Sequence, residues 1–312
     1  MKKKLSLFFV LVCAFFLVSC SSSEADEKTT IKIGTMPSVD ALPLAIAKEK
    51  GYFDKYNVDV QLEVFTSPLQ RDSSLQANEI QGVIADSVAL GLYQNADLNM
   101  KVVSLSSGNF NLIVPKNSNI KTLKDLKDKK IIISENTVID FLNDQLLKEA
   151  KLSDKDIEKV VIAAVPARLE ALNNKQADAV ILPAPYDVLA TEQGNKVIKT
   201  IVNEQQQISM VLLNNDILTN NQTDVENFVK AYNEAINYLN DVNPEEIKDL
   251  LIETVGYDKN AIATVKLPHF IPITLPKEEK VQEALDWSKN KGIIEKDFKA
   301  KDLMVDISNA SN

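Results

Sequence analysis

The side chains that carry most enzyme chemistry are scarce in this sequence, and their spacing closes off several mechanisms. It holds a single histidine, His269, whereas an imidazole-based metal centre usually takes two or three. The two cysteines, Cys13 and Cys20, both lie in the first 20 residues, so the chain after them has no disulfide, zinc knuckle or thiol nucleophile. The eight glycines are never closer than nine positions apart, which fits no dinucleotide fingerprint, phosphate loop or serine-hydrolase elbow. What remains are Ser, Thr, Asn and Asp side chains at turns and helix starts, with only two arginines, Arg71 and Arg168. Such groups bind a small solute through hydrogen bonds and charge without assembling a nucleophile and its base. Neither a cofactor nor a metal is expected, and the chain is read as a non-enzyme.

A chain of 312 residues allows for two domains, at about 150 residues each. With 45% hydrophobic and 25% charged residues it has the composition of a globular protein, not of a disordered one. The net charge of -9 argues against nucleic acid, whose phosphates call for clustered Lys and Arg.

The first residues read as an export signal. Lys2, Lys3 and Lys4 precede an apolar run from Leu5 to Val18, whose 14 residues are too few to span a bilayer. Leu17-Val18-Ser19-Cys20 followed by Ser21-Ser22-Ser23 resembles the lipobox of bacterial lipoproteins, in which the cysteine is acylated and becomes the new N-terminus. The expected organisation is a signal peptide over 1–19, a lipidated tether over 20–30, one lobe from 31–114 and 205–312, and a second lobe over 115–204. Removing three lysines takes the mature charge from -9 to -12.

Behind the leader the pattern alternates strand and helix. Ile31 to Gly34, Val58 to Phe65 and Gly82 to Ala85 read as strands, with helices over 42–50, 69–78 and 87–94 between and after them. The rhythm returns with strands at 131–133, 160–164, 179–182, 197–202 and 209–213 and helices over 138–149, 167–174 and 186–193. Three helices close the chain, over 223–240, from Asn243-Pro244-Glu245-Glu246 to Gly256, and over 276–291. The stretches Asn111 to Pro115 and Glu204 to Gln207 read as two crossings between lobes, and the lysine-rich run 121–130 as a solvated helix face.

The lipobox, the Ile-Lys-Ile-Gly strand with its Pro37-Ser38 turn, and Ala47-Lys48-Glu49-Lys50-Gly51-Tyr52-Phe53 together resemble the solute-binding lipoproteins of ABC importers, the SsuA/THI5-like class. Ile80-Gln81-Gly82, Leu123 to Lys127 before Ile131, and Leu169-Glu170-Ala171-Leu172 before Ala177-Asp178-Ala179 extend the resemblance to residues 31–295. It implies a type II periplasmic-binding-protein fold: two α/β lobes, two crossing strands, and a ligand cleft between them. It further implies a small-molecule ligand, an ABC permease as partner, a membrane anchor on the extracytoplasmic face, and a monomer. Ala184 stands where members of the class often carry an acid, and the cysteine-rich motif of the pyrimidine synthases is missing.

Ligands of open α/β sheets bind beyond the carboxyl ends of strands. That rule selects Met36, Ser38 and Asp40 after the first strand, Thr66 and Arg71 after the second, and Asp86 and Ser87 after the third. It adds Ser107 and Asn109 before the first crossing, Asn136 and Thr137 after the Ile131–Ile133 strand, and Pro185 and Tyr186 after Leu182. Most of these have a plainer reading as helix caps, Arg71 as a solvated helix residue, and His269 as a structural hydrogen bonder. Asp40 and Asp86 near the mouth favour an amine or aminopyrimidine over a sulfonate. An enzyme on the same fold, or a sensor lipoprotein, is the alternative.

Overall fold

The computed structural model describes residues 29–308, so the signal segment, Cys20 and most of the expected tether lie outside the described residues. The chain first lays down β1 (Thr30–Thr35), β2 (Asp59–Val64), β3 (Gly82–Asp86) and β4 (Met100–Leu105). It then builds a second sheet from β5 (Phe110–Val114), β6 (Lys130–Ile133), β7 (Glu158–Val161), β8 (Ala179–Pro183) and β9 (Lys196–Ile201), and returns to the first as β10 (Ser209–Asn214). Strand order is β2-β1-β3-β10-β4 in one sheet and β7-β6-β8-β5-β9 in the other. In each, three parallel strands are followed by an antiparallel strand, β10 or β5, that arrives from the other half.

The parallel strands β3, β6 and β8 are apolar on both faces because helices cover both. Val83 and Ile84, Ile131 to Ile133, and Val180 to Leu182 are all buried, as strands in a doubly covered sheet must be. The first half carries α1 (Leu42–Glu49), α2 (Tyr52–Lys55), α3 (Pro68–Gln76) and α4 (Ser87–Asn95), and the second α5 (Val138–Ala150), α6 (Val165–Asn173) and α7 (Tyr186–Glu192). A short α8 (Asn203–Gln206) stands at the return, followed after β10 by α9 (Asn215–Asn220), α10 (Gln222–Asp241), α11 (Lys248–Leu250) and α12 (Glu278–Asn290). Val225, Phe228, Val229, Tyr232, Ile236 and Leu239 recur at helical spacing and press α10 into the core shared with Leu42 and Ile46 of α1.

Three expectations need correction. Asn111 to Val114 is not a crossing but part of β5, hydrogen-bonded on both sides within the second sheet, so the chain passes between sheets at residues 106–109. The run 121–130 is no helix face: it holds a single 3-10 turn, Leu123–Leu126, and Lys130 already belongs to β6. The expected helix from Pro244 to Gly256 is a 3-10 turn, α11 and a π turn, Leu251–Val255, ended by Gly256 with φ +88°. In addition, β4 went unread in the sequence, and Thr30, placed in the tether, opens β1 opposite Asp59.

The halves touch on two sides. Val88 of α4, with Ala284 and Trp287 of α12, enters the core cluster of the second half, where Trp287 meets Phe141 edge-on at 5.4 Å. Trp287 Nε1 donates to Asp144 at 2.9 Å, and Lys291 reaches Asp144 at 3.0 Å and Asp154 at 3.3 Å. On the other side Ala184 and Val188 pack against the core of the first half.

Candidate functional site

The segments after β3 and β8 pack against the opposite half through Val88 and through Ala184 and Val188, and the residues expected at the strand ends have different tasks. In the first half, Ser38 caps the 3-10 turn Val39–Ala41 by accepting from Asp40 N at 3.1 Å. Asp40 is buried and turned inward: its carboxylate accepts from Ser38 Oγ at 2.9 Å, from Gly108 N at 2.7 Å and from Ser106 Oγ. A side chain at residue 108 would start 2.0 Å from that carboxylate, so only glycine passes here. Asp40 therefore fastens the first crossing to the turn that follows β1. Met36 stays half-buried beside it, and its carbonyl accepts from Thr35 Oγ1 at 3.1 Å. Thr66 is exposed and donates to Gln70 at 2.7 Å.

Asp86 caps α4, its Oδ1 accepting from Val88 N at 3.0 Å and Ala89 N at 2.9 Å. Burial pushes its carboxyl above the usual carboxylate range, against the pull of those N–H groups and of Arg71. Ser87 is buried and donates its N–H to Ile208 O at 3.0 Å, tying α4 to the return crossing.

The crossings themselves are held by a residue the sequence did not mark. Asn203 is 1% exposed, and every polar atom of its side chain is used. Its Nδ2 donates to Ser106 O at 2.7 Å and Ser209 O at 3.0 Å, and its Oδ1 accepts from Ile208 N at 2.7 Å and Ser209 N at 2.9 Å. Asn109, expected on ligand, accepts instead from Asn203 N at 2.9 Å, and Ser107 Oγ accepts from Ile271 N at 3.4 Å. A cavity of about 50 Å³ beside Ser107, Asn109 and His269 has room for little beyond water. His269 is exposed there, and none of the described residues hydrogen-bonds its ring, unlike the structural role expected of it.

In the second half, Thr137 caps α5 by accepting from Ile139 N at 3.2 Å, and Asn136 is exposed at φ +58° with its N–H on Asp140. Pro185 is buried against the Gly256 turn of the first half, and Tyr186 packs in the apolar cluster of Val165 and Leu169. Beside it, Asp187 accepts from Asn111 at 2.7 Å, and burial pushes its carboxyl upward.

The two arginines are both buried, which the solvated reading of Arg71 missed. Arg71 is 5% exposed, donates to Ile84 O at 3.1 Å and Tyr93 Oη at 2.9 Å, and pairs with Asp72 at 2.9 Å. Burial opposes its charge, but Tyr93 and Asp72 outweigh burial and raise its pKa. Arg168 is 4% exposed, reaches only Ala163 O at 3.3 Å and Ile181 O at 3.5 Å, and leaves Nε without a partner. Burial alone pulls its pKa down to about 10. A lone arginine in an apolar helix carries no mark of this in sequence; the signal available was its position 13 residues before Ile181, the spacing that Arg71 has to Ile84.

Among the described residues no cluster of His, Cys, Asp or Glu could hold a metal, and no helix is long and apolar enough to cross a membrane. A putative ABC transporter periplasmic binding protein of Brachyspira hyodysenteriae is 25% identical over 76% of this chain and 74% of its own length. A putative aliphatic sulfonates-binding protein of Bacillus subtilis is 26% identical over 96% of this chain and 94% of its own. The crystal structure of the periplasmic aliphatic sulphonate binding protein SsuA from Escherichia coli superposes with a TM-score of 0.75 at 20% identity, covering 88% of this chain and 92% of that one. The fold is thus the SsuA-type periplasmic-binding-protein fold. Residues 38–247 match the family described as NMT1/THI5 like, and the chain belongs to that family.

Proposed function

We propose that this protein is the solute-binding component of an ABC importer, a monomer that closes on one small polar organic solute and presents it to a permease. The observation that carries this reading is the pair of crossings knotted at Asn203, between two sheets of matching strand order. Two sheets between which the chain crosses only there can swing about that line, which suits capture and release. The names of the relatives support transport, and that of the Bacillus subtilis protein supports a sulfonate. The amine preference loses one of its two supports, because Asp40 is spent on the chain's own donors. The β5 pairing supports lobes of residues 29–109 with 205–308, and 110–204. The lipobox-like Leu17 to Cys20 supports anchoring on the extracytoplasmic face.

A thermal-shift screen of sulfonates, amines, aminopyrimidines and nitrate tests the reading, because a ligand at 100 times Kd stabilises the folded state by about 2.7 kcal/mol. Each hit is expected to lower the radius of gyration in solution scattering. A hit turned over to a new product would overturn the binding-protein reading in favour of an enzyme. Cys20→Ala is expected to move the protein from the detergent to the aqueous phase of a Triton partition; retention in the detergent phase would refute the lipid anchor.

A further inference from the structure

α1, α10 and α12 begin without a side-chain cap, and four further helix starts, each following a parallel strand, bear on one another. α3, α4 and α5 are each closed by a side chain, Ser67, Asp86 and Thr137, which accepts from a first-turn N–H. α6 is preceded by Ala164, whose side chain can accept nothing, and Pro166 has no N–H, so the donors left open in its first turn are the N–H groups of Val165 and Ala167. Ala163 and Ala164 are exposed, leaving that helix start accessible. Arg168, in the first turn, folds back so that Nη2 reaches Ala163 O just ahead of the helix. The same guanidinium spans to Ile181 O near the end of β8, the strand whose next residues, Ala184 and Pro185, touch the first half. Its Nε is the one buried side-chain polar atom among the described residues with no partner.

A buried guanidinium without a counter-charge is unfavourable, and among the described residues none forms an ion pair with Arg168. An open helix start favours negative charge in the same place. We infer that Arg168 and the uncapped first turn of α6 form the receptor for the oxyanion end of the transported solute, a carboxylate, sulfonate or phosphoryl group. This rests on the transport reading above and deepens it by placing the charged end of the solute in the second half. Tyr186, packed in the cluster that holds Val165, gives the site an aromatic wall for the rest of the solute.

The chain's two arginines make the test direct, because only two arginine Nε–H signals exist in a 15N spectrum. Methanesulfonate, acetate and inorganic phosphate are titrated separately into the full-length protein at constant ionic strength in chloride, with the signal lost in Arg168→Lys serving as the assignment. The expected result is a saturable shift of the Arg168 Nε–H with at least one of the three, the Arg71 signal staying fixed. Affinity for that anion is expected to fall about tenfold or more in Arg168→Met, the scale of a lost charged hydrogen bond. Absence of any saturable shift, or equal linear drift of both signals, overturns the inference. Scattering on the same samples separates it from the transport reading. A neutral or cationic solute that closes the halves without moving Arg168 keeps transport and sinks the anion receptor. A saturable Arg168 shift with no solute able to close the halves supports the receptor and removes transport.

Discussion

Two helix–strand units, one in each half, share a backbone and differ in electrostatics. A shift of 97 positions takes Pro68–Gln76 onto Val165–Asn173 and Gly82–Asp86 onto Ala179–Pro183, residue for residue. It carries Arg71 onto Arg168, and Ile84 onto Ile181, so each arginine donates to the carbonyl 13 residues ahead. The partners do not follow. Asp72 becomes Leu169, Tyr93 becomes Ala190, and Asp86 becomes Pro183. The repeated backbone fixes where a guanidinium lies, and its neighbours decide what it does there. In the first half the charge is neutralised within the chain and bolts α3 to β3. In the second it is left for something outside the chain.

The sharpest way to break this comparison is to remove the bolt. Arg71→Met strands Asp72 and Tyr93 and leaves the buried Asp86 carboxyl without its nearby cation, so a loss of about 3–5 kcal/mol in urea unfolding is expected. Next comes the joint between the units: Asn203→Ala orphans two carbonyls and two N–H groups, for an expected loss of about 2–4 kcal/mol. A loss below about 1 kcal/mol would mean that water replaces the amide and the crossings are not held there. Arg168→Met sharpens the contrast because the sign changes. Replacing an uncompensated buried charge by an apolar chain is expected to leave stability within about 1 kcal/mol of wild type, or to raise it, in buffer free of polyatomic anions. A loss matching that of Arg71→Met would make the two units equivalent and end the comparison.

How far these features were legible depends on how local their causes are. The strands β3, β6 and β8 were readable because burial on both faces leaves unbroken apolar runs such as Val180-Ile181-Leu182. β4 and β5 were not placed, because what makes them strands is pairing with β10 and β8, about 70 to 110 residues further along the chain. Caps at Ser38, Asp86 and Thr137 follow from side-chain type and position, and all three are present. The inward turn of Asp40 depends on Gly108, and the burial of Arg71 on Tyr93, contacts with no periodic trace. Asn203 is one more polar residue after a strand until both crossings are seen to converge on it.

The smallest effect concerns the acid that the shift removes from the second half. Asp86 has its pKa raised by burial from an ordinary value of 3.8, so the folded state holds that proton more tightly than the unfolded chain does. Its contribution therefore favours folding at acid pH and is lost as pH rises through the folded value. Asp144 runs the other way. Burial alone would raise its pKa, but Trp287 and Lys291 hold it down, so its contribution is present near neutrality and lost on acidification. Asp86→Asn keeps a carbonyl to cap Val88 and Ala89 while removing the titration, so its stability relative to wild type is expected to climb between about pH 4 and pH 7. Urea unfolding of both proteins across that range measures the difference, and the tie to Arg71 sets its meaning. If the relative stability of Asp86→Asn falls with pH instead, Arg71 outweighs burial at that carboxylate. The first half would then hold an ion pair across the strand end, a closer analogue of a filled anion site in the second half than a plain cap would be.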